Sequence, residues 1–332
     1  GAIISPILFF VYFDTLLLEL KRAGIGCHIG QLFAAALAYA DDVVLLAPTA
    51  RALRAMLAIC DRFATEFNVT FNANKSKCIT FMAPSHCPAR VKAGLAPHFL
   101  ISGHIVENVL TWPHLGHIFS SKMLDDDDIS ARRNSFIGQT NTFLCNFSKI
   151  DVSVRNVLFK TYCSSHYGAE LWDLTNCKIE DYCIAWRKGL RRVWKLPCDS
   201  SCLNVTLVSD TVPLLDELCR RVMNFINTCL NCDSHFVREI ILHGISAGSL
   251  SIIGRNTIFC SLRYNMHTRD IGNKKLTGSR CLELFKNKLN VESIDRATAL
   301  REVIYVREGL YEFSNSIFST DDVNTLIQLL AC

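Results

Sequence analysis

Asp41 and Asp42 stand side by side in an otherwise apolar run, Ala38-Tyr39-Ala40-Asp41-Asp42-Val43-Val44-Leu45-Leu46. Adjacent carboxylates repel each other, and burying such a pair without a counter-charge is costly. A divalent cation removes that penalty. Mg²⁺ takes one or two carboxylates and fills its remaining positions with water and phosphate oxygens. The pattern around the pair predicts strand, tight turn and strand, with both aspartates at or beside the turn. Aspartate suits that place because its side chain bonds nearby backbone and tolerates left-handed dihedrals. The stretch reads as a hairpin that holds metal for phosphate chemistry. The alternative is a solvated turn with no metal.

The elements that must position this hairpin lie on both sides of it. Ser5-Pro6 is a helix start, with a side-chain acceptor followed by a residue suited to the first helical position. The run from Pro6 to about Arg22 is apolar nearly all round, which predicts a buried helix, and Gly24 and Gly26 follow its end. After the hairpin Pro48 ends the strand and Thr49 caps a second helix. In that helix Leu53, Met56, Leu57, Cys60, Phe63 and Phe67 make one apolar stripe. Arg51, Arg54, Asp61, Arg62 and Glu66 face outward. Val69 to Asn72 and Cys78 to Met82 read as short strands around the basic turn Asn72-Ala73-Asn74-Lys75-Ser76-Lys77. Phe99 to Ser102 and Ile105 to Asn108 read as a hairpin around Gly103-His104. This order suggests an α/β layer with the second helix on one sheet face.

The chain has 332 residues, half of them hydrophobic and 20% charged, which describes a globular protein with one large or a few smaller domains. A net charge of +4 permits a nucleic-acid partner without arguing for one, so any basic surface must be local. The 16 cysteines show no framework spacing, and the apolar start lacks a basic leader and a cleavage site. Reduced thiols in an intracellular protein are expected. No apolar run reaches membrane-spanning length, so no membrane partner is expected. The chain begins at Gly1 inside what looks like a motif, which suggests a fragment.

Beyond the acidic run Asp125 to Asp128, read as a solvated linker or a helix N-terminus, the character becomes helical. Ile129, Arg133, Phe136, Ile137, Thr140, Phe143, Leu144 and Phe147 make one stripe. Val154, Val157, Leu158, Thr161 and Tyr162 begin another. Between Cys177 and Leu196, Ile179, Tyr182, Cys183, Trp186, Leu190 and Val193 fall on one side of a helix. Lys188, Arg191, Arg192 and Lys195 fall on the other, a basic ridge suited to phosphate backbones or simply to solvent. Helical patterns recur at 214–230, 257–266, 294–311 and 321–330. Cys229-x-x-Cys232 with His235 or His243 is a candidate zinc site, against cysteines that simply pack. His104, His114 and His117 are a candidate metal cluster, against ordinary polar residues.

Taken together the motifs resemble a known family. Gly1-Ala2-Ile3-Ile4-Ser5-Pro6-Ile7-Leu8, then Tyr39-Ala40-Asp41-Asp42, then the helix with Asn72-x-x-Lys75-x-Lys77, then Leu115-Gly116 and a basic helical region follow the order of non-LTR (LINE-type) retrotransposon reverse transcriptases. Tyr167-Gly168-Ala169-Glu170-Leu171-Trp172 resembles their region downstream of the palm. The resemblance covers about residues 1–197 and marks the chain as a C-terminal fragment of such a protein. It implies an α+β fold: a partial polymerase palm over 1–122, a helical thumb-like region over 129–197 and a helical C-terminal region of unknown role over 198–332. It implies RNA-directed DNA synthesis by two-metal nucleotidyl transfer, with Mg²⁺, an RNA template, a DNA primer and deoxynucleoside triphosphates. Asp41 is then the main metal ligand and Asp42 its support. Gly1, Ser5, Pro6 and Tyr39 line the template and nucleotide pocket, with Tyr39 beside the primer terminus. Lys75 or Lys77 approaches the triphosphate, Leu115 and Gly116 grip the primer, and Lys188, Arg191, Arg192 and Lys195 contact the nucleic-acid backbone. The family's other catalytic aspartate belongs before Gly1, so the piece alone is expected to be inactive. By family it works in the cytoplasm and nucleus. Rival readings are a non-catalytic nucleic-acid-binding remnant and a structural or interaction protein.

Overall fold

The computed structural model describes residues 5–81, 98–267, 276–308 and 320–332, and side chains in residues 5–10 and 320–322 fall outside that description. The chain divides into two compact units, Gly1–Leu124 and Asp125–Cys332. The fold class is α+β, with helices dominating and the strands gathered in the first unit.

Unit 1 opens with α1 (Ser5–Ala23), closed by Gly24 at φ +63°, whose N–H donates to the Lys21 carbonyl. Among its described side chains, α1 is buried along one face, through Phe13, Leu16 and Leu20. Val11, Tyr12 and Leu18 are exposed, which corrects the expectation of a helix buried all round. Two short strands, β1 (His28–Ile29) and β2 (Leu32–Phe33), lead into the hairpin β3 (Ala36–Tyr39) and β4 (Asp42–Leu45). Then α2 (Ala50–Glu66) begins at Thr49, whose hydroxyl accepts from the Ala52 N–H as expected of a cap. Its Met56, Ile59, Cys60 and Phe63 share a core with Phe13, Leu16, Leu20 and Ala35.

The remaining strands are β5 (Lys77–Cys78), β6 (Phe99–Ile101), β7 (His104–Asn108), β8 (Thr111–His114) and β9 (His117–Ser120). Among the described residues they do not join one layer. Pairs β1-β2, β3-β4 and β8-β9 stand as separate hairpins, and β5-β7-β6 is a small mixed sheet. Val69 to Asn72 pairs with nothing regular and is not a strand, and Met82 lies outside the described residues. The β6-β7 turn is Ser102-Gly103, one residue earlier than expected, because both adopt positive φ there. Asp61 is not simply outward: its Oδ1 accepts from the Ser102 N–H at 2.7 Å, which ties this turn to α2.

Unit 2 is helical: α3 (Asp126–Phe147), α4 (Val152–Cys163), α5 (Lys178–Val193), α6 (Cys202–Val208), α7 (Leu214–Leu230), α8 (His235–Ser246), α9 (Ile252–Tyr264), α10 (Gly278–Lys286), α11 (Val291–Arg307) and α12 (Thr320–Ala331). Residues 309–311, expected to end one helical pattern, lie outside the described residues. One apolar core runs through the unit and crosses residue 197, joining Trp186 and Leu190 to Val205, Leu218 and Leu300. The acidic run does start a helix, but it is not solvated throughout. Trp172 Nε1 donates to Asp128 Oδ2 at 2.7 Å, the Asp173 N–H donates to Asp125 Oδ2 at 2.8 Å, and Asn176 donates to Asp126 Oδ1 at 2.7 Å.

The stripe expected to bury α4 is inverted. Val154, Val157 and Tyr162 are exposed, while Val152, Arg155, Asn156, Phe159 and Cys163 are inside. The polar pair is buried because it finds partners there: Arg155 meets three backbone carbonyls, and Asn156 Nδ2 donates to the Ser209 carbonyl at 3.0 Å. Described cysteines are all free thiols, and no described helix is long and apolar enough to cross a membrane.

Candidate metal-binding hairpin and nucleic-acid contacts

The register of the hairpin pairs Tyr39 with Asp42 and leaves Ala40-Asp41 as a two-residue turn. Ala40 takes φ +53°, a left-handed conformation that an L side chain adopts at a cost of about 1–2 kcal/mol. Strain of this kind persists only where the surroundings fix the backbone. Here they do so from below. Leu46 N–H donates to the Ala35 carbonyl at 2.7 Å and Cys27 N–H to the Leu46 carbonyl at 3.0 Å, so the base of the hairpin is latched on both strands. Val43, Leu45 and Ala36 pack on the core shared by α1 and α2. Gly26 completes the seat. A Cβ there would lie 2.3 Å from the Ala35 Cβ and 2.9 Å from the Leu46 carbonyl oxygen. The sequence marks Gly26 only as a residue after a helix; its role in seating the hairpin is a long-range fact.

At the tip, Tyr39, Asp41 and Asp42 are all exposed. Neither carboxylate has a hydrogen-bond or ion-pair partner among the described residues, and no group of three or more His, Cys, Asp or Glu there stands ready to hold a metal. Free, adjacent oxygen donors on a fixed turn fit a hard cation that draws its other ligands from water and phosphate. His104, His114 and His117 do not assemble into a metal cluster, and neither do Cys229, Cys232, His235 and His243. Instead Cys232 Sγ donates to the Cys229 carbonyl at 3.0 Å, and His235 lies 3.8 Å from Glu239.

The two lysines differ in setting. Lys77 is mostly covered, sits 2.5 Å from Glu107 and lies over the Trp112 ring at 5.5 Å. Those contacts hold β5 to β7 and β8, away from a free role. Lys75 is exposed on the turn closed by Asn72, with no side-chain partner among the described residues. Leu115 and Gly116, expected at the primer grip, form the two-residue turn of β8-β9, both at positive φ. Gly1 lies outside the described residues, as do the side chains of Ser5 and Pro6, although Ser5 does begin α1.

Along α5 the expected buried side is buried, including Ile179, Tyr182, Cys183, Trp186, Leu190 and Val193. The basic side is largely engaged within the unit. Arg191 donates from Nε and Nη2 to the Ser200 carbonyl at 3.0 and 2.7 Å. Arg192 donates to Asn141 Oδ1 at 2.6 Å, and Lys195 pairs with Glu308 at 3.0 Å. Lys188 alone of the four is exposed without a partner among the described residues.

No curated protein matches the chain. Residues 1–123, which carry the Asp41-Asp42 hairpin and nearly all of unit 1, match the family model of reverse transcriptase (RNA-dependent DNA polymerase), a nucleotidyltransferase family that works on an RNA template, a DNA primer and deoxynucleoside triphosphates.

Proposed function

We propose that the chain is part of the RNA-directed DNA polymerase of a non-LTR retrotransposon, with Asp41 and Asp42 as metal ligands of two-metal nucleotidyl transfer. The observation that carries this reading is the pair itself: two adjacent, exposed carboxylates, unpartnered among the described residues, on a hairpin seated on the α1–α2 core, within the region that matches the family. Mg²⁺ bound there would supply Lewis-acid stabilisation of the attacking and leaving oxygens. Asp41, at the turn, is the main ligand and Asp42, the first residue of β4, its support. Tyr39 presents an exposed ring beside them for the primer terminus. Lys75 offers a mobile point charge for the triphosphate, and Lys188 and Arg192 offer contacts to the nucleic-acid backbone. Unit 1 is the partial palm on this reading, and the start of unit 2 is the thumb. The protein acts in the cytoplasm and nucleus.

The chain on its own is proposed to be inactive, because no third acidic ligand stands with Asp41 and Asp42 among the described residues. The test is primer extension on an RNA template with Mg²⁺, using the chain alone and the chain fused to the fingers and first palm strand of a related element. Extension by the fusion, abolished by Asp41→Asn, is the expected result. A fusion that folds but does not extend, or extends equally with Asp41→Asn, overturns the reading.

A further inference from the structure

A cleft of about 380 Å³ opens in unit 2 between α4, α5 and the start of α7. That volume suits a ring-sized ligand. Trp186 and the partly exposed Val212 give it an apolar wall, with the buried Phe159 and Leu190 behind. Its polar groups are unbalanced in one direction. The carboxylates that line it are already engaged: Asp210 pairs with Lys286 at 3.0 Å, and Glu217 is held by Arg220 and Arg221. Three donors remain. Lys160 Nζ meets only the Asp210 backbone carbonyl, at 3.2 Å, and keeps further hydrogens for another acceptor. The Ser164 hydroxyl has no partner among the described residues. The third donor is on His166.

His166 is almost wholly buried, with Nδ1 2.7 Å from the Tyr182 hydroxyl. That hydroxyl is buried too and has no other partner among the described residues, so its hydrogen goes to Nδ1. The neutral ring then carries its own hydrogen on Nε2, which bonds to nothing else described. Burial, reinforced by Arg221, pushes His166 down to about 4, so the ring stays neutral at pH 7. Burial likewise draws the Lys160 ammonium below its usual range.

We propose that this cleft binds an oxyanion, phosphate or carboxylate, carried on a ring-sized apolar body, with Lys160, Ser164 and the Nε2–H of His166 as its donors and Trp186 and Val212 against the body. The proposal does not rest on the polymerase reading. Phenyl phosphate is the probe, titrated into the full chain by calorimetry. Saturable one-to-one binding is expected, weakened about tenfold or more by Lys160→Met and severalfold by Ser164→Ala. Lys149→Met, which removes an exposed charge outside the cleft, leaves it unchanged. Inorganic phosphate and phenol each bind more weakly than phenyl phosphate. Competition by adenosine monophosphate identifies a nucleotide source and competition by benzoate an organic acid; either supports an oxyanion site. Thermal melts without ligand check that each variant is folded. Equal binding by folded Lys160→Met, or no saturation below on the order of 10 mM, overturns the proposal.

Discussion

Arg155 donates from Nε to the carbonyl of Val193 at 2.7 Å, within the core of the C-terminal unit. Its Nη1 reaches the carbonyls of Ser148 and Ile150 at 3.1 and 3.0 Å. One guanidinium thus serves the ends of α3 and α5, where unpaired carbonyls gather and a cation is favourable. Arg155→Met keeps much of the volume and leaves those carbonyls buried without partners. A loss of about 3 kcal/mol is expected, read as a lower urea midpoint of the full chain. Arg155→Lys does not rescue it, because an ammonium cannot span the three carbonyls. An unchanged midpoint in the Met variant contradicts this account.

Acid sensitivity of unit 2 begins at His166. Unfolded, the ring titrates near 6.5; folded, burial and then Arg221 bring it to about 4. As pH falls the unfolded chain takes up that proton first. The stabilisation from a neutral His166 is complete above 6.5 and lost between 6.5 and 4, up to about 3 kcal/mol. Burial opposes ionisation of Asp210 and Glu217, but their basic partners outweigh it and hold both carboxyls below the usual range. Their contribution goes only at lower pH. Chemical denaturation at pH 7, 5.5 and 4 gives the slope, and His166→Gln is expected to flatten it across that interval.

Gly26→Ala places a methyl group against Ala35 and the Leu46 carbonyl, and it does so at a backbone φ of +120° that disfavours a side chain. Relief requires the base of the β3-β4 hairpin to move. The expected cost is about 1–3 kcal/mol. Faster amide exchange at Leu37 to Leu45, relative to α2, locates it. Uniform destabilisation without that local signature counts against a seating role.

The lysines of the basic turn are expected to separate in assay. Lys77→Ala removes a contact to Glu107 and the Trp112 ring and lowers the stability of unit 1 by up to about 1 kcal/mol. Lys75→Ala leaves the melting temperature within error. In an extending fusion protein Lys75→Ala raises the KM for deoxynucleoside triphosphates, while a change confined to kcat argues for a different role.

The parts of this architecture that can be read in sequence are those with a local cause. Thr49 announces α2 because a hydroxyl before an apolar stripe has a specific hydrogen bond to make. The Asp41-Asp42 turn is legible because few other reasons place two carboxylates in such an apolar run. The α7 pattern, 214–230, coincides with the observed Leu214–Leu230 because its stripe is long and periodic. What escapes is set by distant partners. The face of α4 is misread since Arg155 and Asn156 find carbonyls 38 and 53 residues away. Lys77 is taken for a free charge because Glu107 lies 30 residues on. The basic ridge of α5 is diluted in the same way: Ser200, Asn141 and Glu308 cannot be foreseen as its acceptors. The short helices α6 and α10 carry too few turns to register a period, although Thr277 does cap the second.

The β3-β4 hairpin, finally, is a ribbon of two strands that pair only with each other among the described residues. Within unit 1 its outer edges present backbone donors and acceptors in a row, with Leu37 and Tyr39 exposed on it. An open edge of that kind recruits whatever strand is nearest, including one from another copy of itself. The same feature that exposes the carboxylates is therefore a colloidal liability. Concentrated preparations of the chain are expected to self-associate through this ribbon, and a strand that paired with it would keep the protein in solution.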